Sequence, residues 1–357
     1  MNNTDHETEA RPLESRPDAG VSVVVCCYNS ADRLPPTIRH LAQQHVGAGI
    51  AWEIIIVDNA STDGTAQVAL ALRDKHEISI PFRVVYQPVQ GLSAARAKGL
   101  AEAAHEVVLF CDDDNWLADD YVDKAFHAMA ANPTVAVVGG VGDPAIEGEP
   151  PVWFPRYARW YALGRQGANT GDISETKGYV YGAGLVLRKS AWMELERRGF
   201  NSQLTGRKGN SLASSEDREL CYAIRLLGYR IHFDDALRFK HEIPQKRLQW
   251  EYFLNMVETA NHTAPVMELY EAALAGKPPL PDGAARRHWL LRCLELASQV
   301  VRKPRPLIFT RSRVEGSSSA IQWRRTRGTW RGWVNIGPRY YEVQKSVYRL
   351  HGERSTL

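Results

Sequence analysis

Apolar and polar positions alternate along the first third of the chain in blocks that switch between two periods. Val21–Cys27 (VSVVVCC) is a continuous apolar, β-branched run, the pattern of a strand covered on both faces. The next segment, YNSADRLPPTIRHLAQQ, carries Leu34, Ile38 and Leu41 at helical spacing, with Ser30 as a candidate cap. Trp52–Asp58 (WEIIIVD) reads as a second strand, NASTDGT as a turn, and 65–73 as a helix with Val68 and Leu72 inward. FRVVYQ, LSAARAKGLAEAA and EVVLFCD continue as strand, helix, strand. Such alternation with short connections predicts an α/β domain with a mostly parallel, doubly wound sheet and helices on both faces. Ligands of these sheets gather beyond the carboxyl ends of the strands. Tyr28, Asn29, Asp58 and Asp112–Asp114 are therefore expected on one rim.

Beyond Asn132 the pattern loosens. TVAVVGGV reads as another strand, and PPVWFPRYARWYALGRQGANTGDISETKG as a shaped, aromatic loop region. GAGLVLRK resumes strand character, SAWMELERRG a short helix, and SSEDRELCYAIRLLGYRI a helix with Leu220, Ala223, Ile224 and Leu227 inward, ended by Gly228. Tyr229–Phe233 is a predicted strand, followed by a helix after Pro244; Ser317–Ser319 reads as a flexible joint.

Composition adds an asymmetry. At 357 residues, 44% hydrophobic and 24% charged, the chain is an ordinary soluble globular one by numbers. Its net charge of +3 is divided unevenly: residues 261–357 hold 17 Lys and Arg against 7 Asp and Glu, leaving 27 against 34 in the first 260. An acidic body with a basic, aromatic tail points to an anionic surface as a partner of the tail. The five cysteines show no C-x-x-C spacing, which argues against a zinc site or disulfide framework and fits a reducing compartment. The first 20 residues lack an apolar core and read as a disordered leader. No run approaches the ~18 apolar residues of a spanning helix.

The chemistry sits in LFCDDDNWL (Leu109–Leu117), where three carboxylates follow a strand. Adjacent like charges repel unless water or a cation screens them. A solvated turn or helix cap is the ordinary alternative; a divalent cation holding phosphate oxygens is the chemical one. Other nucleotide sites are excluded, because neither G-x-G-x-x-G after the first strand nor G-x-x-x-x-G-K-[ST] occurs. The EF-hand pattern fails too, since Trp116 and Ala118 stand where it needs other residues.

Seven segments, VSVVVCCYNS, WEIIIVDNASTDGT, GLSAARAKGL, VVLFCDDDNWL, YGAGLVL, SSEDREL and FKHEIP, occur in an order that resembles the family 2 glycosyltransferases of GT-A fold, over about Val21–Phe253. The resemblance implies a GT-A domain with a C-terminal, mainly helical extension. It implies a nucleotide-sugar site in which Tyr28 and Asn29 follow the first strand, Asp58 bonds the base, Arg96 stands near base or diphosphate, and Asp112 touches the ribose or base side. It makes Asp114 the direct metal ligand, Asp113 the intervening residue, and His241 the residue that completes a Mn2+ or Mg2+ site. Asp217 matches the general base, with Glu216 holding the acceptor or the helix start; Gly182 and Gly184 match a close backbone approach to the sugar. Ser61, Thr62 and Asp63 more naturally cap the helix that follows them. Two departures stand out: Cys26 replaces the family's usual proline or threonine, and 245–249 (QKRLQ) breaks the Q-x-x-R-W of processive synthases.

The reading is thus an inverting transferase that moves a sugar from a nucleoside-diphosphate sugar, a UDP-sugar foremost, to a glycan or lipid-linked acceptor in bacterial surface polysaccharide or glycolipid assembly. A non-catalytic glycan- or lipid-binding module on the same fold, and a sugar nucleotidyltransferase, are the alternatives; the latter lacks its Gly-rich loop with Arg and Lys after the first strand. Nucleic acid is not an expected partner. The expected organisation is 1–20 leader, 21–140 nucleotide-sugar half, 141–260 acceptor and catalytic half, and 261–357 extension. The extension offers a helix, Arg286–Lys303, with Trp289, Leu290, Cys293, Leu294, Ala297, Val300 and Val301 on one face, suited to packing on the body or lying on lipid. The expected location is cytoplasmic, peripheral on the inner face of a membrane.

Overall fold

A computed structural model describes residues 12–204, 215–302 and 314–351. Its centre is a nine-stranded mixed sheet. The strands are β1 (Val21–Cys27), β2 (Trp52–Asp58), β3 (Phe82–Tyr86), β4 (Val107–Asp112), β5 (Asn115–Leu117), β6 (Val135–Ile146), β7 (Gly171–Asp172), β8 (Val186–Arg188) and β9 (Arg230–Ile243). They lie in the order β3-β2-β1-β4-β8-β6-β9-β5, with β7 beside β9. The half built from β3, β2, β1 and β4 is parallel, as the strand–helix alternation predicts. Beyond it β4–β8, β6–β8, β5–β9 and β7–β9 pair antiparallel, which makes the sheet mixed. The connecting helices are α1 (Leu34–Ala42), α2 (Thr65–Lys75), α3 (Leu92–Glu102) and α4 (Tyr121–Ala130). Val21, Val23, Val24 and Val25 of β1 are all fully buried, which is why that strand carries no polar face.

Several expectations are corrected. Within the expected leader, residues 1–11 lie outside the described residues, but Leu13–Ser15 makes a 3-10 turn, Leu13 enters the core and Arg16 meets Glu106 at 3.4 Å. The last strand does not stop at Phe233. It runs on to Ile243, because Ile231, Phe233, Leu237, Phe239, His241 and Ile243 bury every second position except Asp235, the period of a half-exposed strand. Ser317 is a helix cap and not a joint: its hydroxyl accepts from the Ala320 amide at the start of a long helix.

The chain divides into two compact units, Met1–Ala145 with Arg159–Glu194 and Gly228–Glu242, and Ile146–Ala158 with Leu195–Leu227 and Ile243–Leu357. The expected 141–260 half is therefore shared between them. Helix α5 (Lys189–Arg197) runs from the first unit into the second. The second unit contains α6 (Glu216–Leu226), α7 (Trp250–His262), α8 (Ala264–Leu274), α9 (Asp282–Arg302), α10 (Ser318–Ile336) and α11 (Tyr340–His351).

Two glycines let α10 lie directly on α7. A Cβ on Gly328 or Gly332 would stand 2.2 Å from the carbonyl oxygen of Glu258 or His262, so any larger residue forces the helices apart. The Glu258 carboxylate beside them meets Arg324 and Arg331 at 2.9 Å and Arg327 at 3.2 Å. Trp333 is fully buried between His288 and Tyr340.

Helix α9 splits the apolar face expected of it. Cys293 turns inward with Ala285, while Leu290, Leu291 and Leu294 are 46, 56 and 59% exposed. The side chains of Val300 and Val301 lie outside the described residues. Among the described residues no helix is long and apolar enough to cross a membrane.

Candidate active site

Parallel register fixes the rim. Cys27 lies opposite Asp58, and Cys26 opposite Asp112, so the chain leaves β1, β2 and β4 on the same side, and Tyr28, Asp58 and Asp112 share that edge. Tyr28 keeps 37% of its surface exposed, leaving a ring face for stacking. Asn29 is turned to internal work: it adopts a left-handed φ of 49°, and its side-chain oxygen accepts from the Thr62 amide at 2.8 Å. Asp58 accepts from the Ser61 amide at 3.0 Å, which shapes the turn after β2. Ser61 also receives the Asn29 amide, and Asp63 accepts from the Thr65 amide at the start of α2. Capping thus falls to Asp63, while Ser61 ties two loops together.

The three aspartates separate. Asp112 remains at the rim, with Arg96 3.9 Å away. Arg96 is buried against Phe110, and one of its nitrogens lies 3.4 Å from the Gly182 carbonyl. Asp113, expected beside the nucleotide-sugar-binding residues as the one between Asp112 and Asp114, is held by the fold itself. Its carboxylate turns into the fold, where the Ser30 hydroxyl donates to it and Arg33 pairs with it at 2.7 Å. The Thr37 hydroxyl donates to its carbonyl at 2.8 Å. Burial and the neighbouring Asp114 charge push Asp113 up to about 6, against the pull of Arg33. Ser30 is for the same reason no cap of α1: the helix begins at Leu34, and the hydroxyl serves Asp113.

Asp114 is 4% exposed and faces His241 across the β5–β9 pair, in which Asn115 lies opposite His241. The His241 Nδ1 stands 2.8 Å from the Tyr161 carbonyl. A carbonyl can only accept, so Nδ1 carries a proton, and Nε2 is the nitrogen turned toward Asp114. That Nε2 lies 3.5 Å from Asp114 Oδ1. Two electron-rich atoms so placed repel unless a proton or a cation stands between them. His241 itself lies inside β9 and not beyond the last strand.

Gly182 and Gly184 are accounted for within the fold. A Cβ on Gly182 would strike Arg96 at 2.5 Å, and one on Gly184 would strike the Tyr121 hydroxyl at 2.6 Å. That hydroxyl donates to the Gly184 carbonyl at 2.7 Å.

Glu216 and Asp217 belong to the second unit, in the first turn of α6. The preceding Ser215 holds a left-handed φ of 89°, a sparsely populated state for a non-glycine residue. Asp217 Oδ1 accepts from the Arg218 amide at 2.8 Å, and negative charge is favoured at this helix end. Arg218 bonds the Tyr222 hydroxyl at 3.1 Å and pairs with Glu271.

Arg33, Thr37, Asn59 and Glu219 were not legible as site residues. Asn59 holds the loop after β3 through Gln87, Val89 and Gly91. Its position beside Asp58 was the one available signal. Arg33 reaches Asp113 across 80 positions of sequence, and nothing local marks it.

A family model for glycosyl transferase family 2 matches residues 22–195. Over 112 residues the chain is 31% identical to a cholesterol galactosyltransferase of Borreliella burgdorferi, covering 31% of this chain and 30% of that one. Over 110 residues it is 34% identical to TuaG of Bacillus subtilis, a putative teichuronic acid biosynthesis glycosyltransferase, covering 30% and 41%. The chain thus spans under half the length of these curated relatives. Among solved structures, the mannosyltransferase PcManGT from Pyrobaculum calidifontis in complex with GDP-Man and Mn2+ aligns over 91% of this chain and 88% of that chain, at 18% identity and a TM-score of 0.49.

Proposed function

Residues 22–195 belong to glycosyl transferase family 2, and from that premise we propose that the chain is an inverting, metal-assisted glycosyltransferase acting on a nucleoside-diphosphate sugar, with UDP-sugars as the first donors to try. The observation that carries this reading is the Asp114–His241 pair, with Tyr161 fixing the imidazole so that Nε2 faces the carboxylate. An oxygen and a nitrogen donor at that spacing suit Mn2+ or Mg2+. Among the described residues no further His, Cys, Asp or Glu joins them in a cluster of three, and such ions are commonly held by one or two protein ligands plus substrate phosphates. When bound there, the cation supplies positive charge against the leaving diphosphate.

The remaining roles are those that the family resemblance implies. The Tyr28 ring stacks on the base, Asp58 accepts from it, and Asp112 meets the ribose or base side. Arg96, anchored beside Asp112, offers its charge to the diphosphate. Asp217 takes the proton of the acceptor hydroxyl as its oxygen forms a bond to the anomeric carbon. The bond from that carbon to the diphosphate oxygen breaks in the same displacement, which inverts the centre. Glu216 holds the acceptor or the helix start.

The acceptor is a hydroxyl of a glycan or lipid-linked molecule in bacterial surface polysaccharide or glycolipid assembly; one relative is named for cholesterol and the other for teichuronic acid. Exposed Leu290, Leu291 and Leu294, with Arg286 and Arg287 one turn earlier on α9, support peripheral contact with anionic lipid on the inner membrane face.

Incubation with a panel of nucleotide sugars and Mn2+, following release of nucleoside diphosphate, tests the proposal. Turnover of one donor that stops with a chelator and returns with Mn2+ is expected. Absence of both binding and turnover across the panel would overturn it.

A further inference from the structure

Glu219 is fully buried, one turn into α6. Its Oε1 accepts from the Gln203 amide at 2.9 Å and lies 3.4 Å from the Tyr270 hydroxyl of α8. Its Oε2 accepts from the Ser202 hydroxyl at 2.6 Å and the Leu204 amide at 3.2 Å. Each of these donors is neutral. A buried carboxylate held only by neutral donors is costly beside an apolar residue of the same size, so its return lies in fixing geometry.

We propose that Glu219 is a positioning residue, clamping the backbone of Gln203 and Leu204 to the first turns of α6 and so holding in place the helix start that carries Glu216 and Asp217. The proposal rests on the reading of Asp217 as the base, but the clamp itself is independent of it.

Ser202 makes the clamp responsive to protons. Its hydroxyl lies 2.6 Å from both Glu219 Oε2 and the Leu204 carbonyl. With the carboxylate ionised, it can donate to Oε2 while the Leu204 amide does the same. With the carboxyl protonated, the hydroxyl can turn to the Leu204 carbonyl and accept from the acid, and the Leu204 amide is left with the Ser202 hydroxyl oxygen, 3.3 Å away, in place of a carboxylate. Burial holds Glu219 up at about 7, so this exchange falls near neutrality. From α8 the facing titratable group is the Tyr270 hydroxyl; the Arg218–Glu271 pair joins the same two helices, with Tyr222 beside it.

The test is amide hydrogen exchange in the full chain, wild type against Glu219→Gln, corrected for intrinsic rates from pH 6 to 8. Protection of the Gln203 and Leu204 amides should be about tenfold lower in the variant. The wild-type rise in their protection through pH 7 should vanish. On the donor that turns over, kcat should fall about tenfold with donor KM unchanged, and the acidic limb near pH 7 should flatten. Unchanged protection at the two amides would overturn the clamp. Unchanged kcat alongside lost protection would overturn its positioning role. Should Glu219→Gln not fold, Ser202→Ala and the wild-type exchange profile decide: no step near pH 7 at Leu204 in wild type overturns the proposal. A wild type that transfers no sugar fails the proposed function, whereas the exchange result still decides the clamp.

Discussion

In Asp112–Asp114 the middle carboxylate turns into the fold and meets a cation, Arg33; in Glu216–Glu219 the last one turns in and, among the described residues, accepts from neutral donors. Both inward acids are pushed up by burial, Asp113 to about 6 and Glu219 to about 7. Glu258 takes the opposite course. It too loses solvent, yet hydrogen bonds and charge from Arg324, Arg331 and Arg327 hold it below its ordinary value. A run of acids in sequence therefore does not act as one charged patch. The fold assigns each carboxylate its own surroundings, and the members that turn inward orient those that do not.

The largest effect should separate Asp114 from Asp113. Asp114→Asn keeps the shape but weakens the oxygen donor facing His241, and kcat/KM should fall about a thousandfold. Asp113→Asn still accepts from Ser30 and Thr37 still meets its carbonyl, so a loss of about tenfold is expected. Nucleoside diphosphate release with Mn2+ measures both. Equal losses would break the division between a ligand and its support.

Arg33→Ala should follow. It leaves the buried Asp113 carboxylate beside Asp114 without its cation, and about 3 kcal/mol of stability should be lost. Arg33 keeps 32% of its side chain in solvent, which places the effect at the low end for a broken pair. Urea denaturation reads it, and Arg33→Lys should recover part. A loss under about 0.5 kcal/mol would mean that solvent already does the work of the guanidinium.

How much of this was legible differs between the two units. The four parallel strands were readable because each is a short, unbroken apolar run, and the rim followed from topology. Asp114 and His241 were readable only through ordered resemblance, since β5–β9 pairing brings together residues 127 positions apart. The length of β9 was hidden, because its outward positions are polar and look like a loop. Ser30 was misjudged as a cap because its partner, Asp113, arrives from a distant strand end. In the helical unit the signal was weaker still. Gly328 and Gly332 look like flaws in an arginine-rich helix until α7 lies against them, and Cys293 and Leu294 look alike until Cys293 is found inward. Strand chemistry is written in local runs; helix packing is written in which neighbour arrives.

The smallest and sharpest prediction opposes Glu219 to Glu258 through pH. An ordinary glutamate titrates near 4.5, and Glu219 is raised to about 7 in the fold. Between those values the folded chain binds more protons at this site than the unfolded chain, so its contribution to stability falls as pH rises. From pH 5 to 7 the loss amounts to about 2 kcal/mol. Glu258 is lowered instead: its contribution is intact above its ordinary value and is lost as pH falls through the lowered one. The two windows barely overlap, so urea midpoints at pH 3.5, 4.5, 5, 6 and 7 can separate them. Glu219→Gln should flatten the slope between pH 5 and 7 and leave the acidic end alone, and Glu258→Gln should do the reverse. A Glu219→Gln protein that keeps the wild-type slope above pH 5 would show that neutral donors hold that carboxylate as comfortably as arginines hold Glu258, and the contrast between the two inward acids would fall.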